Sequence, residues 1–223
     1  MLIGLGAVVM MIAVIGGRIV PSFTRNWLAK RAAGRLLVPP MQRFDKVALL
    51  VLLSGLLVWV ALPDHPATGV LLLLAGPLHA VRLARWAGDR TLAEPLVAVL
   101  HLGYAFLPLG ALAIGAEIFA PGRFGIAAAQ HLWMGGAAGL MTLAVMTRAT
   151  LGHTGQTLTA GLATVGIYAA LVVAVLARLA AGIWPDQAHL MHMVAGLAWI
   201  VAFGGFAAIY GSLLLRLPAA KRP

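Results

Sequence analysis

Cysteine is missing from all 223 residues, and acidic side chains are scarce, six Asp and Glu against sixteen Lys and Arg. Without cysteine there is no disulfide, no thiolate zinc or iron-sulfur site, no Cys-ligated haem and no Cys nucleophile, so any metal must be held by His, Met or oxygen. Charge of either sign is rare: 10% of residues are charged and 62% apolar. With a mean hydropathy of +0.98, too few polar side chains remain to cover a soluble domain, and the chain reads as an integral membrane protein. The alternation of a transmembrane barrel strand is lacking, as are GxSxG, HExxH, phosphate-loop and dinucleotide fingerprints in a fitting context. No pair of intramembrane carboxylates occurs, which argues against an acidic proton relay or a cation-coupled transporter.

What is present is a series of long apolar runs carrying most of the 26 glycines and 12 prolines, residues that membrane helices tolerate. We expect an all-α, polytopic transmembrane bundle forming one domain over residues 1–223. Seven spans are predicted, near Leu2–Val20, Phe44–Leu62, Thr68–Trp86, Pro95–Ala116, Gly125–Thr147, Leu158–Ala180 and Ala188–Leu215. The opening MLIGLGAVVMMIAVIGG has no basic residue before its apolar run, so it reads as a first span rather than a cleaved signal. The formal net charge of +10 lies between the apolar runs, reads as an orientation signal facing anionic lipid, and gives no nucleic-acid patch. With the N-terminus outside and the C-terminus inside, fourteen of the sixteen basic residues fall on the inner side, and only Arg123 and Arg178 outside. The longest polar segment, the basic loop 21–43, is expected to lie along the inner headgroups.

Polar residues within spans are costly and tend to mark function, which directs attention to the seven histidines. Helix rise places His79 and His101 at one inner level, with His153 approaching from the inner connection LGHTGQ, and His131, His189 and His192 at an outer level roughly 10 Å away. Imidazole in such a setting suits copper, zinc or haem iron, and Met134, Met191 and Met193 near the outer level add thioethers suited to Cu(I). Helix packing is the competing reading of the same methionines. Arg82 and Arg148 at the inner ends are candidates for haem propionates, or simply follow the positive-inside rule. Tyr104, one turn after His101, is a candidate hydrogen-bond donor to a ligand, or an interfacial packing residue.

Several segments together resemble the NnrS membrane proteins associated with denitrification and nitric oxide stress: GGRIVPSFTRN (16–26), PLHAVRLARW (77–86), LHLGYAFLPLG (100–110) and QHLWMGGAAGLMTLAVMTRATLGHTGQ (130–156). The resemblance implies a multi-pass protein of the bacterial inner membrane, binding haem b and/or copper and acting on, or in the presence of, nitric oxide. It places the motif histidines at His79, His101, His131 and His153, with Arg18, Arg82, Arg148 and Tyr104 in the same blocks. His189 and His192 lie outside those blocks. Members of the family have about twelve spans, so the chain resembles a C-terminal half, and a homodimer or a second membrane chain is the expected source of the rest. Two alternatives stay open: a bis-histidine membrane cytochrome for electron transfer, and a cofactor-free scaffold or half-transporter.

Overall fold

The computed structural model describes residues 1–31, 39 and 41–215, and every statement below refers to these. Arg35, Arg216, Lys221 and Arg222, four of the basic residues assigned to the inner side, lie outside them, as do Pro40 and most of the central part of the 21–43 loop. Among the described residues the secondary structure is helical throughout, with no strand.

Seven long helical segments follow one another. Helix α1 spans Leu2–Ala29, α2 Arg43–Ala61, α3 Pro66–Ala84 and α4 Pro95–Phe119. Helix α5 covers residues 126–153, α6 is Leu162–Ile183 and α7 is Ala188–Leu214. Six of these stretches, all but α5, are long and apolar enough to cross a membrane. Together with the apolar composition they make this a membrane protein, with an outer surface consistent with bilayer contact. At 28 residues α5 is long enough, about 42 Å at 1.5 Å per residue, but Gln130, His131, Arg148 and four glycines dilute its apolar character.

The observed boundaries depart from the expected ones at several helix ends. Helix α1 does not stop at Val20 but runs through Pro21 to Ala29, so the first third of the 21–43 loop is helix. A π-helical segment, Ile12–Gly16, precedes that proline by about one turn; it and the proline are two devices by which a long membrane helix bends without ending. Helix α5 likewise continues past Thr147 to His153 through a second π segment, Leu132–Leu140. His153 therefore sits on the last turn of a helix rather than in the connection. Trp86 falls just beyond α3, and α6 begins at Leu162 rather than Leu158.

Helix α4 is the centre of the bundle. Its most apolar window is 72% buried, against 22% to 39% for the other five candidate spans, and it touches α1, α3 and α5. Helices α1, α2 and α3 pack in order on one side, and α6 lies between α5 and α7 on the other. Lipid is as apolar as leucine, so the bundle is held by close packing and by polar links rather than by apolar burial alone. Two such links sit at its heart: Trp133 of α5 stacks edge-on against Trp59 of α2 with ring centres 5.3 Å apart, and its indole N–H donates to the Leu107 carbonyl at 2.9 Å.

Candidate functional site

Three groups of polar side chains enter this apolar bundle. The first is a buried ion-pair network joining α1, α2, α3 and α4. Arg82, fully buried on α3, donates through Nε to Asp45 Oδ1 at 2.9 Å, and through one terminal nitrogen to the Ala13 carbonyl at 2.7 Å and Tyr104 Oη at 2.8 Å. Ala13 lies inside the first π segment. Asp45 Oδ2 accepts from the Gln42 backbone N–H at 3.0 Å, so the same carboxylate caps α2. A buried charge persists only when paired and hydrogen-bonded in this way. His79 closes the network: Nε2 lies 3.1 Å from the Ala48 carbonyl and Nδ1 2.8 Å from Tyr104 Oη.

These contacts assign the protons. A carbonyl only accepts, so Nε2 of a neutral His79 carries the hydrogen and Nδ1 receives the Tyr104 proton, while Tyr104 Oη accepts from Arg82. Both nitrogens of His79 are then occupied by protein partners. Trp86 packs across Tyr104, with ring centres 4.6 Å apart. Asp45 has no precedent in the sequence reading; nothing in the spacing of positions 45 and 82 announces that they meet.

The second group centres on His101 of α4. Thr24 Oγ1 of α1 donates to the Val20 carbonyl at 2.9 Å, and His101 Nε2 lies 2.8 Å from the same oxygen. A hydroxyl has one hydrogen, so Nε2–H of His101 donates to Thr24 and Nδ1 is left with a bare lone pair. That Nδ1 is buried and has no hydrogen-bond partner. Gly88 lies against it: a Cβ there would come within 2.6 Å of Nδ1, so any larger residue would press on the ring. Beside them is a cavity of about 920 Å³, lined by His101, Gly88, Leu102, Val165, Tyr168 and Val172 among others, with walls almost wholly apolar. His101 is the histidine in that lining, and neither Arg82 nor Arg148 borders it.

The third group lies toward the opposite end of the bundle. His131 and Met134 of α5, Arg178 of α6 and His192 and Trp199 of α7 line a cavity of about 490 Å³. His131 Nδ1 is 2.6 Å from the Ala127 carbonyl, which assigns the hydrogen to Nδ1 and leaves Nε2 bare. An imidazole so anchored through one nitrogen presents the other as a metal ligand. Arg178 Nε is buried there without a hydrogen-bond partner.

The fold therefore distributes the expected residues. His131, Met134 and His192 share one cavity, and His79, Arg82 and Tyr104 share one network; His101 borders a cavity alone. His153 is exposed at the end of α5, His189 is exposed on α7, and neither lines those cavities. Arg148 stacks over Phe23 with its guanidinium carbon 4.2 Å from the ring centre. Among the described residues no three His, Asp or Glu side chains gather closely enough to form a metal cluster of their own. The available donors are thus one imidazole at the inner cavity, and two imidazoles with one thioether at the outer.

Compared with known proteins, residues 1–217 match the family model described as NnrS protein. No curated protein and no solved structure matches the chain.

Proposed function

The chain belongs to the NnrS family, and from that premise we propose that it is a bacterial inner-membrane protein that binds copper and haem b and serves in nitric oxide tolerance or denitrification. The observation that carries this reading is the outer cavity, which His131, with Nδ1 anchored and Nε2 bare, lines together with His192 and Met134. Two imidazoles and a thioether form a soft, low-coordination donor set suited to Cu(I). The nearby Arg178 adds positive charge, which weighs against a dication and favours the monovalent ion.

At the inner level His101 supplies the lone pair, and the adjoining cavity of about 920 Å³ has the volume and apolar walls for a macrocycle. Thr24 holds the ring by its other nitrogen, the outer-shell partner by which proteins fix a ligating histidine. A group held at Nδ1 would require the Gly88 turn that lies against it to move aside. Ferrous haem or Cu(I) held by these residues would supply a centre that binds nitric oxide. The chain's part is to exclude water and leave a path through lipid for a small apolar gas. With one histidine on the inner cavity, this geometry favours an open iron position over the bis-histidine arrangement of an electron-transfer cytochrome. His79, Arg82 and Tyr104 act in this reading as the scaffold that positions α3 and α4, rather than as ligands.

Seven crossings with the N-terminus outside complete the reading. All described basic residues of the 30–46, 82–90 and 148 regions then sit at one end of the bundle, and Arg123 and Arg178 at the other.

The test is metal analysis and an absorption spectrum of the purified chain, expressed with haem and copper available. His101→Ala is expected to lose the Soret band while keeping copper, and His131→Ala with His192→Ala to lose copper while keeping haem. Carbon monoxide is expected to shift the Soret band of the reduced protein. A folded chain with neither metal nor Soret absorption would overturn the proposal in favour of a structural role.

A further inference from the structure

Where α1 and α5 end and α4 begins, at the basic face, the structure holds a small cavity of about 220 Å³ distinct from the two above. It is lined by Asn26, Trp27, Lys30, Arg31, Arg148 and Glu94, with Leu158 and Thr159 from the following connection. Three cations therefore face one carboxylate. That carboxylate is already engaged: Glu94 Oε1 accepts the backbone N–H groups of Leu96 and Ala160, each at 3.2 Å. None of the three cations makes an ion pair with a carboxylate among the described residues. The two guanidinium groups lie over aromatic rings instead, Arg148 over Phe23 at 4.2 Å and Arg31 over Trp27 at 4.4 Å.

Two ring-stacked guanidinium groups and an ammonium, three positive charges against the single negative charge of Glu94, suit a phosphate, which Arg binds through parallel N–H donors. The position narrows the source. Arg148 is five residues from the end of α5, about 7 Å along the helix axis, and Trp27 marks the level at which aromatic side chains meet headgroups. A basic recess between membrane helices at that depth is where an anionic headgroup docks with its acyl chains along the bundle. We propose that this cavity binds the phosphate of an anionic phospholipid, and that the lipid joins the C-terminal ends of α1 and α5 to the start of α4. This does not depend on any metal or haem.

Thermal unfolding of the full chain in a nonionic detergent tests it, with added phosphatidylglycerol, phosphatidylcholine or inorganic phosphate. The expected result is a rise in Tm with phosphatidylglycerol well above that with phosphatidylcholine, because a ligand that binds only the folded state raises its stability. The rise should disappear in Arg148→Gln and in the double variant Lys30→Gln with Arg31→Gln, and persist in Arg123→Gln at the other end of the bundle. The double variant alters exposed residues, so it decides the matter should Arg148→Gln fold poorly. The proposal is overturned if phosphatidylcholine does as much, if the double variant keeps the full rise, or if inorganic phosphate alone reproduces it, which would assign the cavity to a soluble anion.

Discussion

At the scale of single residues, the sharpest distinction is between histidines that the protein uses up and histidines that it leaves open. His79 has both nitrogens engaged, by Tyr104 and the Ala48 carbonyl, whereas His101 and His131 each keep one lone pair bare once their partners' protons are assigned. Thr24→Val removes the acceptor that holds His101 Nε2–H, leaving the ring free to turn. We expect it to lower haem occupancy without loss of fold, read as Soret absorbance per protein; losing the hydrogen bond that orients a ligating histidine typically costs about 10- to 100-fold in affinity. Unchanged occupancy would remove Thr24 from the site. The ion pair behaves differently. Arg82→Leu leaves the buried Asp45 carboxylate with only the longer, partly exposed pairing to Arg85 at 3.8 Å and the Gln42 N–H, and the loss of the direct partner of a buried pair costs up to about 3–5 kcal/mol. The double change Arg82→Leu with Asp45→Leu is expected to recover part of that loss in detergent denaturation curves, because the buried carboxylate is gone and Arg85, which also lay near it, is partly exposed to solvent. A double variant no better than the single one would show that the network's contacts to Ala13 and Tyr104, rather than its charge balance, hold the helices.

At the scale of elements, the spans were legible because length and apolar run suffice to show them, and their order and approximate limits agree with the observed helices. What the sequence did not disclose was set by contacts between distant positions. The continuation of α1 through Pro21 and the π segments of α1 and α5 have no period that an apolar pattern reveals. The approach of Asp45 to Arg82, and of Thr24 to His101, depends on how four helices pack. The outer cavity was legible in part: depth arithmetic grouped His131, His189 and His192 with Met134, Met191 and Met193 near them, and the packing of α5, α6 and α7 selects His131, Met134 and His192 from that group and adds Arg178. Those three helices offer a test at their contact. Gly182 of α6 lies against the chain just before α5, where an added Cβ would come within 1.7 Å of the Phe124 carbonyl oxygen. That atom belongs to a backbone and cannot swing aside, so Gly182→Ala must push α6 from α5, at a cost of at least the 1–3 kcal/mol typical of overpacking. Helix α6 walls both cavities, but Gly182 lies one turn from Arg178 of the outer one and more than two turns from Val172 of the inner one, so copper content is expected to fall further in Gly182→Ala than the His101 Soret band. Equal loss of both would mean that the bundle fails as a unit.

At the level of the whole molecule, α5 decides the topology, because it carries His131 and Arg148 near its two ends. If α5 crosses the bilayer, its ends lie on opposite sides, the outer cavity and the lipid-binding recess face opposite leaflets, and the chain has seven crossings. If it does not, the positive-inside pattern breaks, because the connections on either side of α5 would then share one face. The absence of cysteine makes this directly measurable, since one introduced thiol is then the sole target of a maleimide. Asp64, Arg123 and Asp186 are exposed in the connections α2–α3, α4–α5 and α6–α7, and Asp89 and Thr157 are exposed in α3–α4 and α5–α6. Single cysteine variants at the first three positions are expected to react with a membrane-impermeant maleimide in intact spheroplasts, and those at Asp89 and Thr157 only after permeabilisation. Labelling of Arg123→Cys and Thr157→Cys from the same side would place both ends of α5 on one face. It would also separate His131 from the leaflet assigned to it, and with that the two-level arrangement of metal sites would fall.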